Sequence, residues 1–547
     1  MKKILNPLRS SSVMRSTIII CAPFLFSQAL FATPIHHAYE DLGSLTNLQT
    51  VKNKGENYYK FKIPYATPVS VFFNGLSAGY TVEILDSKGV VIGKSTNRGT
   101  KWNSPSESGT TDGAVVLPLQ PGYFFVHVEP ADVIPGDIYR VSDSSYTLNL
   151  IPDNAPNTIV VAASNSVKVG KPQIIATGRH DNKAINQAIQ WIGNLGGGRV
   201  LLRPGTYSIN NNIKATVDNL TLMGTGWSTV LKLVDQAKLE GAGLIRSRFI
   251  EDSKNHAKDH FSNQHFMHMV LDGNKVGNPF FITSVGNYGT YADSSFEDIR
   301  AHDFPRYGLD PHESIYETTP LVKNNLASAT VHLTIKDSLI DHNGQDGIIF
   351  EKTTDSTIRD NIIDANGRHG VNIVAESIKN VIKNNVITNN EVNGITIQPG
   401  ADLYRTSNDN QLKENTLNHN GKNGVYVYRS SNTRIEKNTI KFNGWYGIHF
   451  RAASTNQIIE NELADNSRVK EGEYGGINLS GDHSVYSTQN KIWNNYLRTS
   501  ALTAYKFGIV EHDAMNDYNE VVNNTLHNIK KPIRLMGPHS VAKDNEV

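Results

Sequence analysis

The sequence predicts an all-β protein: a right-handed parallel β-helix with a short N-terminal capping helix, preceded by a small β-sandwich. Three observations carry this reading. Glycines recur at 347, 370, 394, 424 and 447, each ahead of a β-rich run. Asparagines recur at 361, 385, 415, 438, 461, 495 and 524. The first 150 residues lack that repeat and instead alternate short strand-like runs with polar turns.

The N-terminus reads as an export signal over residues 1–32. Lys2, Lys3, Arg9 and Arg15 precede the apolar run Ile18–Phe26, and small residues follow at Ser27, Ala29 and Ala32. The run is short for a bilayer span, so the expectation is a periplasmic or secreted protein with no membrane anchor after cleavage. The single cysteine, Cys21, lies inside this segment, leaving no disulfide or cysteine metal site in the remainder. The chain has 53 basic and 52 acidic residues; without the four basic residues of the signal, 49 face 52, a formal charge near −3. That balance excludes the broad positive field of a nucleic-acid binder. A polyanionic ligand then requires basic groups gathered locally.

Residues 45–150 carry the sandwich signals: Tyr58–Ile63, Val69–Phe73, Tyr80–Leu85, Gly122–Val128 and Ser145–Leu150, with Asp86-Ser87-Lys88-Gly89 as a turn. This stretch resembles the jelly-roll-like accessory domains of secreted peptidases and polysaccharide enzymes. It holds no convergent catalytic set. Residues 151–170, with Pro152 and Pro156, read as a linker to a second domain at 171–547. That domain opens on a helix with Ile185, Ala188, Ile189 and Ile192 on one face, closed by Gly196-Gly197-Gly198. Such a helix covers the otherwise exposed end of a stack of coils.

The asparagine intervals are 24, 30, 23, 23, 34 and 29 residues, and the glycine intervals 23, 24, 30 and 23. A period near 23 with insertions fits one coil of a β-helix. The asparagines are read as a structural amide ladder, each bond contributing about 0.5–1.5 kcal/mol. The longer intervals mark loops that wall a groove. The Leu-x-x-Leu-x-Leu signature of a leucine-rich solenoid is absent.

Tyr307-Gly308-Leu309-Asp310-Pro311-His312-Glu313 is the segment richest in chemistry. It resembles the Tyr-Gly-x-Asp-Pro-His-Glu motif of the mannuronan C5-epimerases, which act on alginate. The resemblance extends over roughly residues 180–400 and includes Asn343-Gly344-Gln345-Asp346-Gly347 and Asn366-Gly367-Arg368-His369-Gly370. It implies catalytic Tyr307, Asp310 and His312, with Arg368 and His369 contacting substrate. Leu271-Asp272-Gly273-Asn274-Lys275 resembles the segment ahead of the family's active-site lysine, which makes Lys275 a candidate. Glu351 stands where secreted members carry Asp; it keeps the charge and extends the reach. Glu313 and Asp346 complete the expected substrate-binding set.

The chemistry is consistent with that list. A uronate has an acidic C5 hydrogen beside its carboxylate, and removing it adds negative charge there. Lys275 and Arg368, or a protonated Asp310 or Glu351, would stabilise that charge. His312 or Tyr307 is suited to take the proton; the preferred assignment makes His312 the base and Tyr307 the donor from the opposite face. Return to C5 from that face gives epimerisation of mannuronate to guluronate. Protonation of the C4 glycosidic oxygen instead gives lyase cleavage, and a bifunctional enzyme would do both at one site. Neither requires a cofactor. Asp341, Asp346, Asp360 and Asp364 leave room for a structural calcium but form no compact six-ligand loop. A glycoside hydrolase would use a carboxylate pair such as Asp310 with Glu313 or Asp346. A non-catalytic polysaccharide-binding β-helix is the alternative from a different class.

Overall fold

The computed structural model describes residues 38–77, 79–97, 113–131, 145–247, 260–285, 290–311, 330–401, 403–501 and 504–547. The expected export signal, His312 and Glu313 lie outside the described residues.

The N-terminal part consists of two sheets. One holds five strands in the order Glu40–Ser44, Asn57–Ile63, Gly122–Pro130, Tyr80–Leu85 and Val91–Asn97. The other holds Gln49–Lys54, Ser145–Pro152, Thr67–Phe73 and Ala114–Leu119. Phe61, Val82, Ile84 and Val126 from the first meet Val69, Val71, Leu148 and Leu150 from the second in one core, as alternating strands in a sandwich require.

The segment expected to be a linker holds the strand Thr158–Ala162. It pairs in parallel with Gly198–Leu202 and starts the main sheet. Its β-branched run, Thr158-Ile159-Val160-Val161, explains the difference. The helix Asn182–Asn194 buries Ile185, Ala188, Ile189 and Ile192 against the first coils. Asp181 does not cap it through its side chain; its carboxylate accepts from the Gly178 and Ser208 N–H groups instead. Gly196, at φ +83°, turns the chain out of the helix.

The described residues between Thr158 and Val547 wind as a parallel β-helix, right-handed as parallel crossovers are. A 25-stranded parallel sheet contributes two strands per coil over most of its length, and an eight-stranded parallel sheet from Ile348–Glu351 to Ile533–Arg534 contributes the third. The register runs Ile348, Val371, Ile395, Val425, Ile448, Ile477, Ile509, every one fully buried.

The asparagine ladder is present. Asn361, Asn385, Asn415, Asn438, Asn461, Asn495 and Asn524 each pass an amide N–H to the next amide oxygen at 2.9–3.0 Å, and Asn545 accepts the last of these bonds. A second ladder joins Asn343, Asn366, Asn390, Asn420, Asn443 and Asn466. A third links Asn456, Asn490 and Asn519. The recurring glycines serve close approach: a Cβ on Gly370 would stand 2.4 Å from Ile387 Cγ2 and 2.7 Å from the Gly394 carbonyl.

The sandwich docks on the flank of the early coils. The Gly75 N–H donates to Asp298 Oδ1 at 2.7 Å, and Trp227 Nε1 donates to the Asp298 carbonyl at 3.2 Å. Leu76 packs with Trp227, Val230, Val270 and Leu339 beside them.

Candidate active site

The segment after strand Ser295–His302 runs alongside the eight-stranded sheet at its first strand. The Leu309 N–H donates to the Gly347 carbonyl at 2.8 Å, and the Ile349 N–H donates to the Leu309 carbonyl at 3.0 Å. Leu309 therefore bridges in parallel to Ile348. That register puts Tyr307, Asp346 and His369 in one column on three successive coils. It puts Asp310 beside Ile349, which pairs with Asn372. The Ser284 hydroxyl also bonds the Gly308 carbonyl and holds this segment down.

Tyr307 is buried against Ile349, Val374 and Ala375. Two guanidinium groups flank its ring, Arg306 at 4.4 Å and Arg368 at 5.7 Å from the centroid. Burial pushes the phenol up from its ordinary value, and the two arginines only partly oppose that shift. Tyr307 is therefore a protonated phenol at neutral pH.

Asp346 is fully buried, and its oxygens accept from four donors. Arg368 Nε lies at 2.7 Å and Arg368 Nη2 closes the bidentate pair. The His369 N–H follows at 3.1 Å and Asn372 Nδ2 at 3.0 Å. Burial disfavours the Arg368 charge, but Asp346 outweighs it and keeps the guanidinium firmly protonated. Asp346 thus aims Arg368, whose side chain is a third exposed.

His369 is buried, and burial pushes its imidazole down to about 4, so it is neutral at pH 7. Its Nδ1 accepts the Asn393 N–H at 3.3 Å and faces Thr396 Oγ1 at 3.1 Å. The tautomer consistent with this carries its proton on Nε2.

Lys275 is exposed in the short 3₁₀ turn Lys275–Gly277. A Cβ on Gly344 would stand 3.5 Å from Lys275 Cε, so the lysine stem crosses the turn leading to Asp346. Asp310 is fully buried. Glu351, half-buried, ends the strand Ile348–Glu351. Thr353 Oγ1, two residues on, donates to the Pro311 carbonyl at 3.3 Å. The structure thus brings Tyr307, Asp310, Asp346, Arg368 and His369 onto adjacent coils, with Glu351 at the far end of the strand and Lys275 at the turn.

Sequence reasoning missed Arg306, Asn372, Asn393 and Thr396. Arg306 had a visible signal, since it directly precedes Tyr307. The other three emerge only once the register is known. Among the described residues one group is able to coordinate a metal ion: Asp272, His302 and Asp303, with one ligand atom of each within 4.8 Å of the others.

Comparison with known proteins points the same way. The family described as rhamnogalacturonase A/epimerase, pectate lyase-like matches residues 173–396. The periplasmic copper-binding protein (NosD) family matches residues 317–478 and 403–542. Mannuronan C5-epimerase AlgE2 of Azotobacter vinelandii is 32% identical over 386 residues, 66% of this chain and 36% of the relative. Alginate lyase 7 of the same organism is 28% identical over 380 residues, 66% of this chain and 42% of the relative. The chain thus spans about a third of the length of the first of these relatives. Among solved structures, the A-module of mannuronan C-5 epimerase AlgE6 of A. vinelandii is similar at TM-score 0.59 and 26% identity, covering 68% of this chain and 97% of that one. These similarities mark homology to alginate-acting, pectate-lyase-like β-helix enzymes.

Proposed function

We propose that this protein is a mannuronan C5-epimerase, converting mannuronate to guluronate in alginate by proton removal at C5 and reprotonation from the opposite face. The observation that carries the reading is the column of Tyr307, the Asp346–Arg368 pair and His369, within the stretch similar to the epimerases. A uronate lying over this column meets a fixed guanidinium, a neutral imidazole and a protonated phenol. Arg368, with Lys275 across the turn, offsets the charge that builds on the carboxylate as C5 loses its proton. Asp346 acts through Arg368, which it orients. The raised phenol of Tyr307 favours giving a proton over taking one. His312 is the proposed base. Asp310 and Glu351 hold the carboxylate by a shared proton, and Glu313 adds a substrate contact.

The proposal needs no cofactor. The substrate is an anionic polysaccharide met in the periplasm or after secretion, as the leader-like N-terminal sequence suggests. Lyase cleavage is the second reading, favoured by the similarity to alginate lyase 7. Incubation with polymannuronate separates the two. Guluronate signals in the proton NMR spectrum without ultraviolet-absorbing chain ends are expected. Unsaturated ends without guluronate would make it a lyase, and neither product would remove alginate as the substrate.

A further inference from the structure

We propose that the outer face of the N-terminal five-stranded sheet is a second carbohydrate site, which grips a polyuronate chain through Tyr39, Tyr123 and Phe125 and the lysines Lys60 and Lys62. The choice of a uronan as its ligand rests on the reading of the β-helix as an alginate-acting enzyme; the geometry of the face does not.

The sandwich has two outer faces, and they differ. That of the four-stranded sheet is used in docking: Phe72, Ala114 and Ile151 bury against Leu201 and Met223 of the early coils. The five-stranded sheet packs its inner face on the opposite side of that sheet. Its own outer face therefore points away from the β-helix.

Alternation along the strands sets what that face shows. In Asn57–Ile63, Tyr59, Phe61 and Ile63 are buried, and Tyr58, Lys60 and Lys62 turn outward. Opposite them in the antiparallel neighbour Gly122–Pro130 stand His127, Phe125 and Tyr123. Lys60 Nζ lies 4.6 Å from the Tyr123 ring centroid and 5.3 Å from that of Tyr39, and Lys62 Nζ lies 5.7 Å from that of Tyr123. Tyr39 stands edge-on to Phe125, with centroids 5.5 Å apart. Even so, Tyr39 and Tyr123 are 45% and 48% exposed. The solvent face of an antiparallel sheet is ordinarily polar. Three aromatic rings gathered there around two ammonium groups are the kind of surface that marks a binding site.

Charge selects the ligand and confines it. At this end of the sheet the two lysines face one carboxylate, the exposed Asp41, which pairs with Lys60 at 3.6 Å. Such a pair is weak in water. Lys62 is exposed and has no carboxylate partner among the described residues. The other end of the face is acidic and already satisfied. Glu83 and Glu56 hold His127 between them at 3.2 and 3.0 Å, His127 stacks on Tyr58 at 4.2 Å, and Lys94 is bound to Glu83 at 2.7 Å and Glu129 at 3.7 Å. A polyanion is thus held to the lysine end. Each uronate residue offers an apolar C–H face to lie against a tyrosine ring and one carboxylate for an ammonium. The flexible lysine stems let the ammonium groups leave the rings for those carboxylates. A neutral glycan would use the rings and leave the lysines idle. With a second grip on the same chain, rebinding of a long polymer becomes intramolecular, which keeps the enzyme on its substrate between turnovers.

The test uses the full chain, run by affinity electrophoresis through gels containing polymannuronate or neutral dextran. Lys60→Gln/Lys62→Gln leaves Asp41 alone at that end and should weaken binding to polymannuronate about tenfold. Added salt should narrow the gap to wild type, because exposed charges are screened. Tyr123→Thr keeps a β-branched residue in the strand and should weaken binding by a similar factor. Turnover of oligomannuronates too short to reach both sites should be unchanged in both variants. A lysine variant that binds polymannuronate as wild type does would overturn the proposal, whether or not Tyr123→Thr folds. Stronger retention by dextran than by polymannuronate would overturn it too, and self-association abolished by Tyr123→Thr would give the face to a second copy of the chain. Failure here is distinct from failure of the epimerase reading. Polymer binding lost in the lysine variant, from a wild type that never converts mannuronate, would remove that reading and keep this one.

Discussion

Two columns of side chains run along the same turn of the β-helix, three residues apart. In the first, Asn343, Asn366, Asn390, Asn420, Asn443 and Asn466 repeat without change, joined amide to amide at 2.8–3.0 Å. In the second, the residue varies along the stack: Asp346, His369, then Asn393 and Asn423, then Tyr446. Yet the backbone beneath the second column is as regular as that beneath the first. The Gly347, Gly370, Gly394 and Gly424 N–H groups each donate to the carbonyl of the next coil at 2.9–3.0 Å. A β-helix can therefore hold its coils with one column and vary its chemistry on the adjacent one. The ladder satisfies buried polar groups; the neighbouring column is free to carry a carboxylate, an imidazole or a phenol at a set height.

If that division is real, variants in the two columns should fail differently. The largest effect is expected from Tyr307→Phe, which removes only the phenolic hydroxyl. Turnover on polymannuronate should fall by about 10²–10⁴-fold, with the melting temperature nearly unchanged. A melting temperature that collapses instead would make Tyr307 part of the scaffold.

His369 sharpens the comparison through pH. Its folded value, about 4, lies below the ordinary 6.5. Between these values the unfolded chain binds the extra proton, so stability is complete above about pH 6.5 and is lost as pH falls toward 4, by on the order of 3 kcal/mol. Urea unfolding of wild type and His369→Asn across that range should show the difference between them shrinking as pH falls. A constant difference would mean that the imidazole is not buried neutral.

Asn390→Ala is the mirror-image experiment. It strips the acceptor from the Asn366 N–H and Nδ2 and the donor from the Asn420 amide. Stability should drop by about 2–3 kcal/mol, while the turnover of the folded fraction holds. A fall in turnover without a fall in stability would erase the distinction between the columns.

Lys275→Met should have the smallest effect. The lysine is exposed on its turn, so the unfolding midpoint should move by less than about 0.5 kcal/mol. An approximately tenfold fall in kcat/KM, equivalent to about 1.4 kcal/mol, is expected if it faces the substrate carboxylate.

These columns also explain what was legible beforehand. Repeated asparagines and glycines are visible because each coil consumes a near-constant length of chain and solves the same packing problem. The Asn361 ladder is readable directly from the sequence; the Asn343 ladder is hidden because four of its six members sit in ordinary Asn-Gly turns. The left-handed residues that bend each coil just before the Asn361 ladder were invisible. Asp360, Asn384, Glu414, Lys437, Glu460, Asn494 and Asn523 sit at φ 53–59° and are drawn from four residue types. The strain of roughly 1–2 kcal/mol at such a position is offset by the asparagine that follows, whose backbone N–H and side chain are both bonded. Tyr307, Asp310, Arg368 and His369 were legible from local motifs. The four-donor cradle of Asp346 was not, because Asn372 is 26 residues away and becomes a neighbour only through the coil register. The docking of Gly75 onto Asp298, 223 residues apart, left no local trace either.

We propose that Tyr307, at the head of the variable column, returns a proton to C5 after His312 has removed one from the other face. The most direct test is wild-type protein acting on polymannuronate in deuterated water, followed by proton NMR. The account predicts guluronate residues carrying deuterium at C5. Guluronate that retains its original C5 hydrogen, or polymannuronate left fully protonated and unconverted, would contradict it.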